Sequence, residues 1–230
     1  MLESMHKHMK WLMWTIVIII TVAFLFFGIM PSGPSGRAVA TVDGHIVTLD
    51  ELQGEYQRLS QQYKGIFQGQ MNEQFRKTLM SQAINKLIAD RLLIQEADRV
   101  GIIVTKEELQ GEIMKIPAFN QEGVFDMRAY RWRLERNGMT EKDFETNVRD
   151  ELVRRKLVRI IYDSVNISDS EIADLYARQN PKAKSGEFLK RKKNFEKQVL
   201  SEKQGKVMAA FVTGLQAKSN IKIYEDRLPL

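Results

Sequence analysis

Twenty consecutive residues, Trp11–Met30 (WLMWTIVIIITVAFLFFGIM), carry no charge and limit what the rest of the chain can be. As a helix rising about 1.5 Å per residue they measure about 30 Å, the thickness of a bilayer's hydrocarbon core. Ile, Val, Leu and Phe dominate the stretch, and each favours mid-membrane burial by about 0.3–0.6 kcal/mol. Lys7 and Lys10 precede it, and Trp11 and Trp14 suit the headgroup belt. The positive-inside bias makes residues 1–10 a cytoplasmic tail, residues 11–30 a single-pass transmembrane helix, and the remaining chain the exported part. A buried core helix of this length would show a polar face. A cleaved signal peptide with Ala38-Val39-Ala40 as its small-residue site competes. The apolar run, however, exceeds the usual signal core of about 7–15 residues, and Pro31–Gly36 separates that site from it.

The chain has no cysteine, which excludes disulfide scaffolds, thiol catalysis and cysteine–zinc sites and fits a bacterial periplasm. A net charge of +6 and a pI near 9.4 raise nucleic acid as a partner. Export and the interleaving of Lys and Arg with Glu and Asp argue against it, so no nucleic acid is expected.

The exported chain reads as mainly α. Residues 31–37 (PSGPSGR) form a tether. Ala38–Val42, Asp43-Gly44 and His45–Thr48 form a hairpin. Thr48-Leu-Asp-Glu51 is a capping box opening a helix to about Gln62, which the glycines of Lys64–Gly69 break. Met71–Val100 is the longest amphipathic helix and the expected spine, closed by Gly101 in the left-handed conformation. Thr105-Lys-Glu-Glu108 opens a short helix to about Ile116, ended by Pro117, and Gln121–Asp126 is a loop. Met127–Asn137 and Thr140–Ser164 are helices divided at Gly138. Ser168-Asp-Ser-Glu171 is a third capping box, with its helix reaching about Gln179. Residues 181–186 are a linker, Glu187–Lys218 a highly charged helix, and Ile221–Tyr224 a strand. A lone terminal strand needs a partner, so it should join Ala38–Val42 or Ile46–Val47 in one small sheet. Residues 38–180 and 187–230 then form one helical domain.

At this point the chain resembles the SurA/PpiD family of periplasmic folding factors, specifically its membrane-anchored type. Ala40-Thr-Val-Asp-Gly44 looks like the family's opening strand and turn. Leu87-Ile-Ala-Asp-Arg-Leu-Leu-Ile-Gln-Glu-Ala97, then Gly101-Ile-Ile-Val-Thr-Lys-Glu-Glu-Leu109, looks like its central helix and following cap. Ile116-Pro-Ala-Phe119, Gly123-Val-Phe-Asp126 and Tyr130 continue the pattern, as do Gly138-Met-Thr140 and Phe144. Ile167-Ser-Asp-Ser-Glu171-Ile looks like the usual lead into a parvulin-type prolyl isomerase. Only Asn180–Gly186 stands where that module of about a hundred residues, a domain in itself, is expected. The resemblance implies the chaperone scaffold, anchored in a Gram-negative inner membrane, without the enzyme.

The residues point the same way. His45 is the only histidine outside the tail, and His6 and His8 do not share a helix face. Glu107/Glu108 and Asp150/Glu151 are adjacent rather than facing, unlike an acid–base pair. No phosphate loop or nucleophile motif occurs. No catalytic residue, metal or cofactor is therefore expected. The basic run Leu189-Lys-Arg-Lys-Lys193 is weighed against anionic headgroups and read as a solvated helix face, since such fields fade within a Debye length. A holdase needs accessible, adaptable apolar surface surrounded by charge. Met71, Met80, Met114, Met127, Met139 and Met208, with Phe67, Phe119, Phe125, Tyr130 and Trp132, supply candidates, although apolar stripes normally face inward. The loop-rich Pro117–Trp132 region concentrates them, so Phe119, Phe125, Met127, Tyr130 and Trp132 are the candidate contacts for unfolded polypeptide clients. Two alternatives stay open: a scaffold for one folded partner, such as the export machinery or a separate isomerase, and a degenerate prolyl isomerase. A homodimer completing the sheet by strand exchange stays open as well.

Overall fold

The computed structural model describes residues 37–67, 72–181 and 186–229. The expected tail, membrane helix and most of the tether lie outside the described residues. Among the described residues no helix is long and apolar enough to cross a membrane.

Asp43 and Gly44 both take positive φ, 49° and 85°, the turn geometry that matches the twist of a two-residue hairpin. They fold Ala38–Val42 (β1) against His45–Thr48 (β2) in antiparallel register. On the other edge of β1 lies the terminal strand Ile221–Ile223, also antiparallel, giving a three-stranded sheet with β1 in the middle. Tyr224 N donates to Val39 O at 2.9 Å, and Arg227 Nη1 to Ala38 O at 3.1 Å. The two ends of the domain therefore meet in one sheet, as the orphan strand required.

Thr48 opens α1 (Leu49–Phe67) through a reciprocal capping box: Thr48 N donates to Glu51 Oε2 at 2.8 Å and Glu51 N to Thr48 Oγ1 at 3.3 Å. The helix does not end near Gln62 but continues through Gly65, because one glycine costs a helix only about 1 kcal/mol relative to alanine. The spine, α2 (Glu73–Arg99), starts one residue beyond Asn72, whose Oδ1 accepts from Phe75 N at 2.7 Å. At its end Gly101 takes φ 78°, Ile102 N donates to Ala97 O and Gly101 N to Asp98 O, the paired bonds of a Schellman stop.

The helix α3 (Lys106–Met114) has the expected full capping box at Thr105. A 3-10 turn, Pro117–Phe119, follows. The expected loop at Gln121–Asp126 is instead a short hairpin, Asn120–Gln121 (β3) with Val124–Phe125 (β4), turned by Glu122 and Gly123 at φ 51° and 84°. Two-residue strands carry no period, so sequence alone did not reveal them. Then come α4 (Met127–Arg136), capped by Asp126, and α5 (Glu141–Asp163), capped by Thr140. The last helices are α6 (Asp169–Gln179) and α7 (Glu187–Gln216), and the terminal strand is β5. At α6 the expected capping box is only half made. Glu171 N donates to Ser168 Oγ at 3.2 Å, but the Glu171 carboxylate turns to Lys203 Nζ at 3.0 Å, tying α6 to α7.

Three clusters form the interior. The first lies under the sheet, where Val39, Val42 and Val47 meet Leu52 of α1 and Ala83, Ile84, Ile88 and Leu92 of α2. The second joins α3, α4 and α5. The third packs Leu93 and Ala97 of α2 against Val153, Leu157 and Ile161 of α5, with Met208, Phe211 and Leu215 of α7 alongside. Helix α2 thus serves two clusters, which makes it the spine its apolar stripe predicts. Helix α7 divides its contacts: Phe188 and Phe195 stack on Tyr176 of α6, whereas its second half packs on α2 and α5.

Candidate functional site

The second cluster holds Phe119 and Tyr130, with Phe125 packed against it; Met127 and Trp132 are not part of it. Leu109 and Ile113 of α3, Leu134 of α4 and Leu152 of α5 enclose an aromatic knot. Phe119 meets Tyr130 edge to face at 5.0 Å between centroids and Phe144 at 5.4 Å, and Phe125 lies 5.8 Å from Tyr130. Edge-to-face pairs add about 0.5–1.5 kcal/mol each beyond area burial. Local chemistry sets this arrangement. Pro117 fixes the 3-10 turn that points Phe119 inward. Asp126 N donates back to Phe119 O at 2.8 Å, closing the hairpin so that Phe125 follows. Asp126 Oδ1 accepts from Arg128 N at 2.7 Å, which starts α4 and places Tyr130 over the knot.

The structure divides the five candidates. Phe119 and Tyr130 are 5% and 3% exposed and belong to the interior. Phe125 is half-buried. Met127 and Trp132 are 49% and 54% exposed, and Trp132 faces away from Tyr130 and Leu134, the inward residues of α4. Burial raises the Tyr130 phenol pKa above its ordinary value, with Glu145 and Glu141 adding to the effect. Its hydroxyl finds no protein partner.

Val124 at the hairpin turn is 71% exposed, and Met114 at the end of α3 is 50% exposed. Sequence reasoning missed Val124, because only the unforeseen hairpin turns it outward. Of the other methionines, Met80 is buried, Met139 packs on the second cluster and Met208 on the third. Met71 and the Phe67 side chain lie outside the described residues.

Charged side chains stand beside Trp132 and tie the helices of the lobe together. The Arg136 guanidinium lies 5.1 Å from the Trp132 ring centroid, and Arg131 Nε donates to Glu141 at 2.9 Å. Lys156 Nζ bonds both Glu108 carboxylate oxygens and Ile103 O, clamping α5 to α3. The Lys156 hydrogen bond holds the Glu108 carboxyl below its usual range.

The adjacent carboxylates have structural partners: Glu107 and Glu108 both hydrogen-bond at the Thr105 cap. Glu108 completes a cap, while Glu151 pairs with Arg154 at 2.6 Å. Asp150 is pushed up by burial, with Arg91 opposing. Nδ1 of His45 meets Gln95 Nε2 at 2.8 Å. Among the described residues no three His, Asp or Glu side chains are grouped to hold a metal ion. The open groove between α1 and α2, about 470 Å³, presents Tyr56 and Met80 beside Arg76 and Lys77 and holds no nucleophile–base pair.

The profile of the SurA-like N-terminal domain matches residues 1–158. The chain is 30% identical over 126 residues to the periplasmic chaperone PpiD of Escherichia coli K12, covering 54% of this chain and 20% of PpiD. It is 30% identical over 149 residues to the chaperone SurA of Xanthomonas euvesicatoria, covering 64% of this chain and 31% of SurA. The alignments thus span only a fifth to a third of these relatives. Among solved structures, one from work on PEB4 and Cj1289, described as two structurally related SurA-like chaperones of Campylobacter jejuni, superposes with a TM-score of 0.50. The match has 15% identity and covers 82% of this chain and 99% of that one. At that identity the likeness is one of fold.

Proposed function

Because the chain belongs to the SurA-like N-terminal domain family, we propose that it is a membrane-anchored periplasmic holdase for unfolded or newly translocated polypeptides. Trp11–Met30 is the anchor in the bacterial inner membrane, with the N-terminus cytoplasmic. The client contacts are the exposed apolar residues of the α3–α5 lobe: Val124, Met127 and Trp132, with the half-buried Phe125 beside them in the hairpin. Phe119 and Tyr130 act beneath it, holding the lobe in shape.

One observation carries this reading. Large apolar side chains stay 49–71% exposed on a lobe whose interior is locked by a buried aromatic knot. Accessible apolar groups on a rigid base bind extended chains without paying for ordering of the base. Methionine adapts to varied partners, and the flanking arginines disfavour self-association. The capping role of Glu108, the ion pair of Glu151 and the absence of cysteine support a binding role rather than isomerase chemistry.

The test uses full-length protein in nanodiscs, titrated with an unfolded outer-membrane-type polypeptide and with a folded control. Micromolar, sequence-tolerant binding to the unfolded chain alone is expected. Replacing Met127 and Trp132 by Ser should weaken it about tenfold, as loss of on the order of 1–2 kcal/mol of buried apolar contact implies, with thermal stability unchanged. Unchanged affinity in that variant overturns the site. Tighter binding to a single folded protein than to unfolded chains overturns the holdase reading in favour of a scaffold. A proline peptide should isomerise at its uncatalysed rate, over tens to hundreds of seconds, in the presence of the protein.

A further inference from the structure

The basic run at the start of α7, read from the sequence as a solvated helix face, is arranged as a stripe. Lys190, Lys193 and Lys197 recur at i, i+3 and i+7, so they share one side of the helix. Lys190 and Lys197 each follow by two residues, about 200° of rotation, a phenylalanine that stacks on Tyr176 of α6. The stripe therefore points away from α6, and all three lysines are exposed. Their basic neighbours are engaged: Arg191 pairs with Glu187 at 3.4 Å and Lys192 with Asp169 at 2.9 Å. Lys190, Lys193 and Lys197 enter no ion pair among the described residues. Beside them Leu189 is 75% exposed, the most exposed large apolar residue among the described residues. Glu196, seven residues after Leu189, shares the leucine's flank of the helix, about 60° from Lys193, and is half-buried.

We infer that this face of α7 docks on anionic phospholipid headgroups at the bilayer surface. Three ammonium groups on flexible stems, unpaired among the described residues, match a diffuse layer of phosphates, whereas a fixed acidic site on a protein is better met by the planar fork of arginine. An exposed leucine among lysines suits the boundary between headgroups and acyl chains. This inference rests on the reading of Trp11–Met30 as an anchor. The chain from that segment joins the domain at β1, and the stripe lies about 30–40 Å of helix from the end of α7 that leads into β5, the partner of β1. The anchor also raises the local concentration of the stripe at the surface.

The chain lacks cysteine, so Asn194→Cys, between Lys190 and Lys197 on α7, gives one labelling site. The full-length protein, carrying an environment-sensitive fluorophore there, is reconstituted into vesicles of neutral phosphatidylcholine with or without 30% phosphatidylglycerol. With the anionic lipid the label should shift to the blue and be quenched by lipid-borne quenchers. The shift should vanish at 0.5 M salt and in the Lys190→Gln/Lys193→Gln/Lys197→Gln variant. Three lysines correspond to on the order of a hundredfold in surface partition. Resistance to carbonate extraction reports the anchor separately. An extraction-resistant chain whose label ignores anionic lipid overturns the docking face alone. An extractable chain overturns the anchor, and the lipid response of its label still decides the face. A shift that persists in the triple variant, or that appears only when an acidic protein is added, overturns the inference.

Discussion

Phe119 and Trp132 are both large aromatics in one short region, and only the structure separates their roles. Phe119→Ser opens a cavity in the aromatic knot and should cost about 3–5 kcal/mol, read as a lower urea midpoint at unchanged slope. Trp132→Ser removes an exposed ring and should shift stability by under about 0.5 kcal/mol while weakening client binding. The region was legible as aromatic and loop-rich. Which rings face inward was not, because the hairpin that sets their orientation leaves no period in the sequence.

Asp150 offers a residue-scale test with a definite sign. Burial raises its carboxyl pKa, and the Arg91 guanidinium opposes without prevailing. A carboxyl raised in the folded state contributes stability below its unfolded pKa and loses it as pH rises through the folded value. Asp150→Asn should therefore raise the melting temperature at pH 7. The gain should shrink toward pH 3, below the unfolded aspartate value of about 3.9. A gain that is constant across this range would trace the effect to packing instead.

At the scale of elements, the starts and stops of helices were the most legible feature. Thr48, Thr105, Thr140 and Ser168 all cap as their spacing requires, and Gly101 and Gly138 both end helices at positive φ. These signals are local, so a few residues suffice to state them. Gly101→Ala forces a side chain into the left-handed region and should cost about 1 kcal/mol. Thr105→Ala should cost about 1 kcal/mol as well, and hydrogen exchange should show α3 fraying first. The second half of the third capping box was not legible, because Lys203 competes for Glu171 from a distant part of the chain. Glu171→Gln should keep the Ser168 cap yet loosen α6 from α7, read as faster exchange in α6 alone.

The whole domain is closed by a strand from its far end, and this closure followed from a simple requirement, that a lone strand find an edge. It also defines how the molecule should come apart. Ending the chain after Lys218 removes β5, the Tyr224 bond to Val39 and the packing of Ile221 and Leu228 on the first cluster. Those partly buried side chains are worth on the order of 3 kcal/mol together. The aromatic knot shares none of these residues. It is tied to the rest mainly through Val104, which packs on both the second and third clusters, and through α5. Hydrogen exchange on the truncated protein should therefore show β1, β2 and α1 losing protection while amides of Tyr130 and Leu134 keep theirs. Equal loss in both regions would mean that the domain opens as one cooperative unit. The proposed client surface would then depend on the terminal strand, and no longer on the aromatic knot alone.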